Sequence, residues 1–124
     1  MERAGLLVKE VCECLNIEGR LSELGVVLVA SNEQKWTIEI SSVDRCLIIY
    51  SEVIAPNSVE EVSSYYLNMN ANHKMMRGAW IGAGADGVFR LYYRTMVECV
   101  TALQVVDALK YLVGLHQHIS DGRT

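Results

Sequence analysis

A chain of 124 residues, 51% apolar and with a formal net charge of −4, has the length of one ordinary domain and can bury roughly two thirds of its unfolded surface. The acidic balance repels phosphate backbones, and the one basic pair of note, Arg90 and Arg94, is too small a footprint for a nucleic-acid partner. No apolar run approaches the roughly 20 residues of a membrane span, and Glu2, Lys9, Glu10 and Glu13 interrupt any signal peptide, so a cytoplasmic protein of one domain, residues 1–124, is expected.

Leu7, Val11 and Leu15 recur at i, i+4 and i+8 with Val8 and Cys12 beside them. This predicts a helix over 3–17, stopped by Gly19. Residues 25–30 (GVVLVA) read as a short β-branched strand and 31–33 as a polar turn. In 35–41, Trp36, Ile38 and Ile40 alternate with Thr37 and Glu39, the period of a half-buried strand. A turn over 42–45 leads to a third strand, 46–54, nearly continuous in apolar residues. The only proline, Pro56, breaks that pattern. Ser58-Val-Glu-Glu61 after it has the form of a capping box and predicts a helix from Val59 to His73 or Lys74, with Val62, Tyr66 and Met69 in one stripe.

Two further strands, 76–83 and 88–97, are joined by Gly84-Ala-Asp-Gly87, whose Asp-Gly step is a hairpin signal. Phe89, Leu91, Tyr93 and Thr95 share one face of the second, and Arg90, Tyr92 and Arg94 the other. Thr101 and Gln104 form a second capping box. It opens a helix over 102–119 with Leu103, Val106, Leu109 and Val113 in register, and 120–124 reads as a polar tail. The order α-β-β-β-α-β-β-α predicts an α+β fold: a largely antiparallel sheet with helices packed on it.

Catalytic, metal and cofactor signatures are missing from the sequence. Gly82-Ala-Gly84-Ala-Asp-Gly87 is a literal G-x-G-x-x-G, yet a dinucleotide site needs a helix after it, and strand residues follow instead. Cys12, Cys14, Cys46 and Cys99 contain no Cys-x-x-Cys and read as structural thiols in a reducing compartment. His116 and His118, two apart near a helix end, lack metal-ligand spacing and read as solvated helix-end residues, as does His73. Glu60 and Glu61 suit the first turn of a helix. No nucleophile elbow occurs. The expectation is therefore no enzyme, no cofactor and no metal. The apolar residues of the first helix, Trp36 and Trp80 in strands, the outward Tyr92 and the adjacent pair Tyr65 and Tyr66 read either as the apolar surface a small domain leaves exposed or as a dimer interface and a partner groove.

The element order, together with the stretches KWTIEI, CLIIYSEVI, SVEEVSSYYLNMNANH, MRGAWIGAG and FRLYYR, resembles the type III secretion effector chaperones, the Tir-chaperone-like family. The resemblance runs from the Leu6–Leu15 helix to the last helix, and 68–72 before the fourth strand look most like the family. It implies a homodimer that binds the N-terminal segment of a secreted effector without ATP. It also implies that Leu7, Val11, Trp36 and Ile38 line the partner groove and that Tyr66, Met69 and Trp80 belong to the dimer interface. A regulatory or adaptor domain resembling the YbjN-like family, binding a folded partner, is the alternative.

Overall fold

In a computed structural model, residues 2–15, 26–29, 33–41 and 43–122 are described, 2–4 and 26–29 by their backbone alone. The elements are α1 (Glu2–Cys14), β1 (Val26–Val29), β2 (Lys35–Ser41), β3 (Cys46–Glu52), α2 (Val62–Ala71), α3 (His73–Met76), β4 (Trp80–Ala83), β5 (Phe89–Met96) and α4 (Ala102–Asp121), with one 3₁₀ turn at Val97–Cys99. The strands form one five-stranded sheet in the order β1-β2-β3-β5-β4, antiparallel at every pairing. This is the α+β arrangement expected from the sequence, with one short helix more.

Register decides which residues meet the helices. Ile38 pairs with Ile49, Ile49 with Tyr93, and both Ser51 and Ile81 with Leu91. Successive residues alternate faces, so Trp36, Ile38, Leu47, Ile49, Leu91 and Ile81 share one side of the sheet. Against them lie Val105, Val106, Leu109, Leu112, Leu115 and Ile119 of α4, all buried. On α4 packs α1, through Leu7, Val8, Val11 and Cys12. Each fully buried Leu or Ile of this layer contributes about 2 kcal/mol of transfer free energy.

Several boundaries differ from expectation. The Ser58–Glu61 capping box is not made: the Val59 amide donates to the Pro56 carbonyl at 3.0 Å. That bond closes a turn containing Ser58, so α2 starts only at Val62, with Glu61 at its N-cap and no side-chain cap. The turn chemistry of proline wins over the local box. The box at Thr101 does form: Thr101 Oγ1 accepts from the Gln104 amide at 3.2 Å and Gln104 Oε1 from the Thr101 amide at 2.9 Å.

Asn72 interrupts the second helix, because its Oδ1 accepts from the Met75 amide at 3.2 Å and starts α3. Arg77 (φ 48°) and Gly78 (φ 88°) then turn the chain, so β4 begins at Trp80 rather than at 76. Strand β3 ends at Glu52, two residues early, although the Val53 amide still reaches the Phe89 carbonyl at 3.0 Å. Helix α4 runs on to Asp121 and closes on Gly122 at φ 73°. The expected stop at Gly19 and the turn at 31–32 lie outside the described residues.

Candidate interaction surface

The sheet face turned away from α4 carries an aromatic row. Tyr50 pairs directly with Tyr92, and Tyr92 with Trp80. Trp80 and Tyr92 stack at 5.5 Å with 17° between planes, while Tyr92 and Tyr50 lie 5.7 Å apart, tilted by 45°. Gly82 lies beside the pair: a Cβ there would meet Tyr92 Cε2 at 3.6 Å and Trp80 Cδ1 at 3.7 Å, ordinary van der Waals contacts. Such stacked pairs are worth roughly 0.5–1.5 kcal/mol beyond their buried area.

Polar groups pin both sides of the row. The Tyr50 hydroxyl donates to Glu39 on the neighbouring strand. Burial, with the Glu39 carboxylate beside it, pushes the Tyr50 phenol up to about 12. Arg90, paired across from Glu52 and Gly82, holds Asp86 of the hairpin at 2.8 Å. Its guanidinium, helped by the Val88 amide, lowers the Asp86 carboxyl to about 2. A groove of about 600 Å³ runs along Lys35, Thr37, Tyr50, Ser51 and Arg90. Gln34 and Glu52 connect it to a cleft of about 530 Å³ beside Pro56, His116 and Ser120.

The edge strand beside this face is closed by one side chain. The Asn70 Oδ1 accepts from the Ile81 amide at 2.7 Å, and its Nδ2 donates to the Ile81 carbonyl at 2.9 Å. The carboxamide thus stands in for a neighbouring strand at the middle of β4 and ties α2 to it. The exposed residues of α2, Ser63, Ser64, Leu67, Asn68 and Ala71, include no charge. Leu67 is 67% exposed and Trp80 40%.

Most of the residues singled out from the sequence are buried within the protomer. Leu7, Val11, Trp36 and Ile38 are at most 1% exposed and build the core between the sheet, α4 and α1. Tyr66 and Met69 are buried too; Tyr66 packs on Phe89 with ring centroids 4.7 Å apart. Only Trp80 presents its side chain outward. The physical reason for their burial is cover: α1 and α4 both lie on the apolar side of the sheet, and Leu7, Val11, Trp36 and Ile38 pack into the core there.

His116, expected at a solvated helix end, is buried instead. Its Nε2 lies 2.6 Å from the Glu52 carbonyl and its ring meets Trp36 edge-on at 5.5 Å. Helix α4 continues past it, so the residue sits one turn inside. Cys12 and Cys46 are buried thiols, whereas Cys14 and Cys99 are exposed. The G-x-G-x-x-G stretch is a hairpin: the Gly87 amide donates to the Gly84 carbonyl at 3.0 Å and β5 follows. Among the described residues, no three His, Cys, Asp or Glu side chains converge as metal ligands, and no helix is long and apolar enough to cross a membrane. Sequence reasoning missed Asn70 and Tyr50. The only available signal for Tyr50 was its register opposite Tyr92, which needs the strand order.

No protein-family model matches the sequence, and no curated protein sequence matches it either. Solved structures do. A chain of the HopA1–SchA chaperone–effector complex superposes with a TM-score of 0.78 at 13% identity, covering 95% of this chain and 96% of that one. The type III secretion chaperone structure of SycH from Yersinia pestis, in complex with a stable fragment of YscM2, gives 0.73 at 14% identity over 94% and 98%. The ExoT–SpcS complex from Pseudomonas aeruginosa gives 0.69 at 13% over 94% and 97%. This is the fold of a type III secretion chaperone. At such identities the likeness extends to the course of the backbone, the sheet order and the helix placement. It does not extend to individual side chains.

Proposed function

We propose that the protein is a type III secretion chaperone: it binds the N-terminal segment of a secreted effector and keeps it soluble and extended, without ATP, in the bacterial cytoplasm. The observation that carries this reading is the near full-length match to a chain of a chaperone–effector complex. Binding an extended segment calls for rigid apolar surface and backbone edges rather than a catalytic group, so the protein is read as a binder and not an enzyme. A net charge of −4 helps to keep such a holder in solution. Leu7, Val11, Trp36 and Ile38 serve in this reading as the rigid floor beneath the partner surface. Leu6, half-exposed on the same helix, is left to touch the segment directly.

The working unit is proposed to be a homodimer joined through the α2 and β4 side, with Trp80 in contact and Tyr66 and Met69 holding α2 from behind. Light scattering after size exclusion tests both parts, on the protein alone and co-expressed with the product of a neighbouring gene. The expected result is a stable dimer that co-elutes with the neighbour's N-terminal segment and shields it from protease. A monomer that leaves the segment to be digested refutes the reading.

A further inference from the structure

Strand β5 outruns the strand beside it. Its pairing with β4 ends where Trp80 lies opposite Tyr92, while its pairing with β3 runs on to Met96. The residues before Trp80 stand out of the sheet. Arg77 (φ 48°) and Gly78 (φ 88°) turn the chain, and the Ala79 amide donates to the Met76 carbonyl at 2.9 Å. Continued in register, β4 would set Gly78 opposite Arg94. A Cβ on Gly78 would meet nothing within 4 Å, so this flank of β5 is open.

The backbone bonds at either end of β5 fix where its polar groups point. The Phe89 carbonyl accepts from the Val53 amide and the Val97 amide donates to the Arg45 carbonyl, both at 3.0 Å on the β3 side. In an antiparallel ladder residues bond alternately to one neighbour and the other. Tyr93 and Thr95 therefore face β3, and Arg94 turns its N–H and C=O to the open flank, where no group among the described residues bonds to them. Beneath this flank a cavity of about 310 Å³ lies between β5 and the start of α4, walled by Tyr93, Thr95, Val100, Gln104 and Ala108. On the opposite face the Arg94 side chain is exposed and makes no ion pair among the described residues. Ile48 stands between it and Glu39.

We propose that this notch anchors a short extended stretch of the effector segment, of the pattern apolar-acidic-apolar, paired antiparallel with Tyr93–Thr95. Its central residue exchanges two backbone hydrogen bonds with Arg94. Residues directly opposite each other share a face of the sheet, so the central carboxylate stands beside the Arg94 guanidinium. The two flanking side chains point to the other face, over the cavity. Backbone pairing supplies the affinity, and the cavity and Arg94 supply the preference for sequence. The middle of β4 offers no such place, because Asn70 already bonds both backbone groups of Ile81. This rests on the chaperone reading above and adds to it where the segment is held and by what chemistry.

The test is an NMR titration of the full chain with the blocked peptide acetyl-Thr-Leu-Glu-Leu-Thr-amide. The expected result is shifts at the amides of Tyr93–Met96 and slowed exchange of the Arg94 amide. Replacing the peptide's Glu by Lys is expected to weaken binding roughly fivefold, the size of one exposed charge pair turned to repulsion, and R94E should reverse that preference. Methylating the backbone nitrogen of the peptide's Glu, which leaves the protein untouched, should cost roughly fivefold as well, the value of one net hydrogen bond. Unmoved amides at Tyr93–Met96, or equal affinity for both peptides, overturn the proposal. So does an Arg94 amide that becomes protected in the protein alone as its concentration rises, which assigns the notch to a second copy. If the neighbouring gene's segment co-elutes with the protein while the peptide leaves Tyr93–Met96 unmoved, the chaperone reading stands and the notch falls. If that segment does not co-elute but the peptide binds at Arg94, the notch stands and the chaperone reading falls.

Discussion

Replacing Asn70 by Ala opens the edge of β4 at its middle. The substitution deletes two hydrogen bonds to Ile81, 2.7 Å and 2.9 Å long, each worth about 1 kcal/mol net. Ile81 is 5% exposed, so its amide and carbonyl are not freely resolvated, and an unsatisfied buried group costs about 1–3 kcal/mol. The expected loss is therefore about 2–4 kcal/mol, or a melting point roughly 8–15 °C lower at this chain length. Urea denaturation followed by circular dichroism measures it. N70D sharpens the test. Its carboxylate still accepts from the Ile81 amide, but its second oxygen faces the Ile81 carbonyl and has no proton to donate. The protonated acid can donate, so the folded state raises this carboxyl's pKa. Stability of N70D relative to wild type is then expected to recover as the pH falls below that raised value and to be lost again above it. A loss under about 0.5 kcal/mol for N70A, which is the range of an ordinary surface substitution, would refute the account of Asn70 as a surrogate strand.

The two capping sequences should behave differently. Thr101→Ala is expected to cost about 1 kcal/mol, whereas Ser58→Ala should leave the melting point unchanged because that box is not made. Tyr50 is expected to titrate near 12, from burial first and the Glu39 carboxylate second, in a spectrophotometric titration of the folded protein. Its folded value lies above the ordinary phenol value of about 10. The stability it confers is therefore full below about pH 10 and falls as the pH rises through 12; Tyr50→Phe should flatten that part of the pH dependence. Trp80→Ala removes a side chain at the centre of the proposed dimer face. Its self-association is expected to fall by at least about 2 kcal/mol with a melting shift of only a few degrees for the protomer, and light scattering checks the first quantity.

Much of the architecture was legible in the chain because it depends on short-range periodicity. The alternation of Trp36, Ile38 and Ile40, the Asp-Gly hairpin before β5, and the box at Thr101 each act within a few residues, and each formed. Where two local signals competed, the sequence offered no means of ranking them. The Pro56 turn took the Val59 amide and displaced the start of α2, and Asn72 cut a helix that the apolar stripe alone would have continued.

The candidate surface was less legible than the fold. Periodicity separates the apolar face of an element from its polar face, and it correctly set Tyr92 apart from Phe89 and Leu91. It cannot say what covers the apolar face, because cover is a relation between distant segments. Leu7, Val11, Trp36 and Ile38 carry the apolar character of a groove, but α1 and α4 stack on the same side of the sheet and turn all four into core. Asn70 reads in sequence as an ordinary helical polar residue and acquires its role only when β4 arrives beside it as the edge strand. Composition, periodicity and turn chemistry thus determined that this chain folds as helices on an antiparallel sheet. The strand order β1-β2-β3-β5-β4 decided which side chains remain at the surface, since it sets Tyr50 of β3 beside Tyr92 and Trp80 of a hairpin that comes much later in the chain.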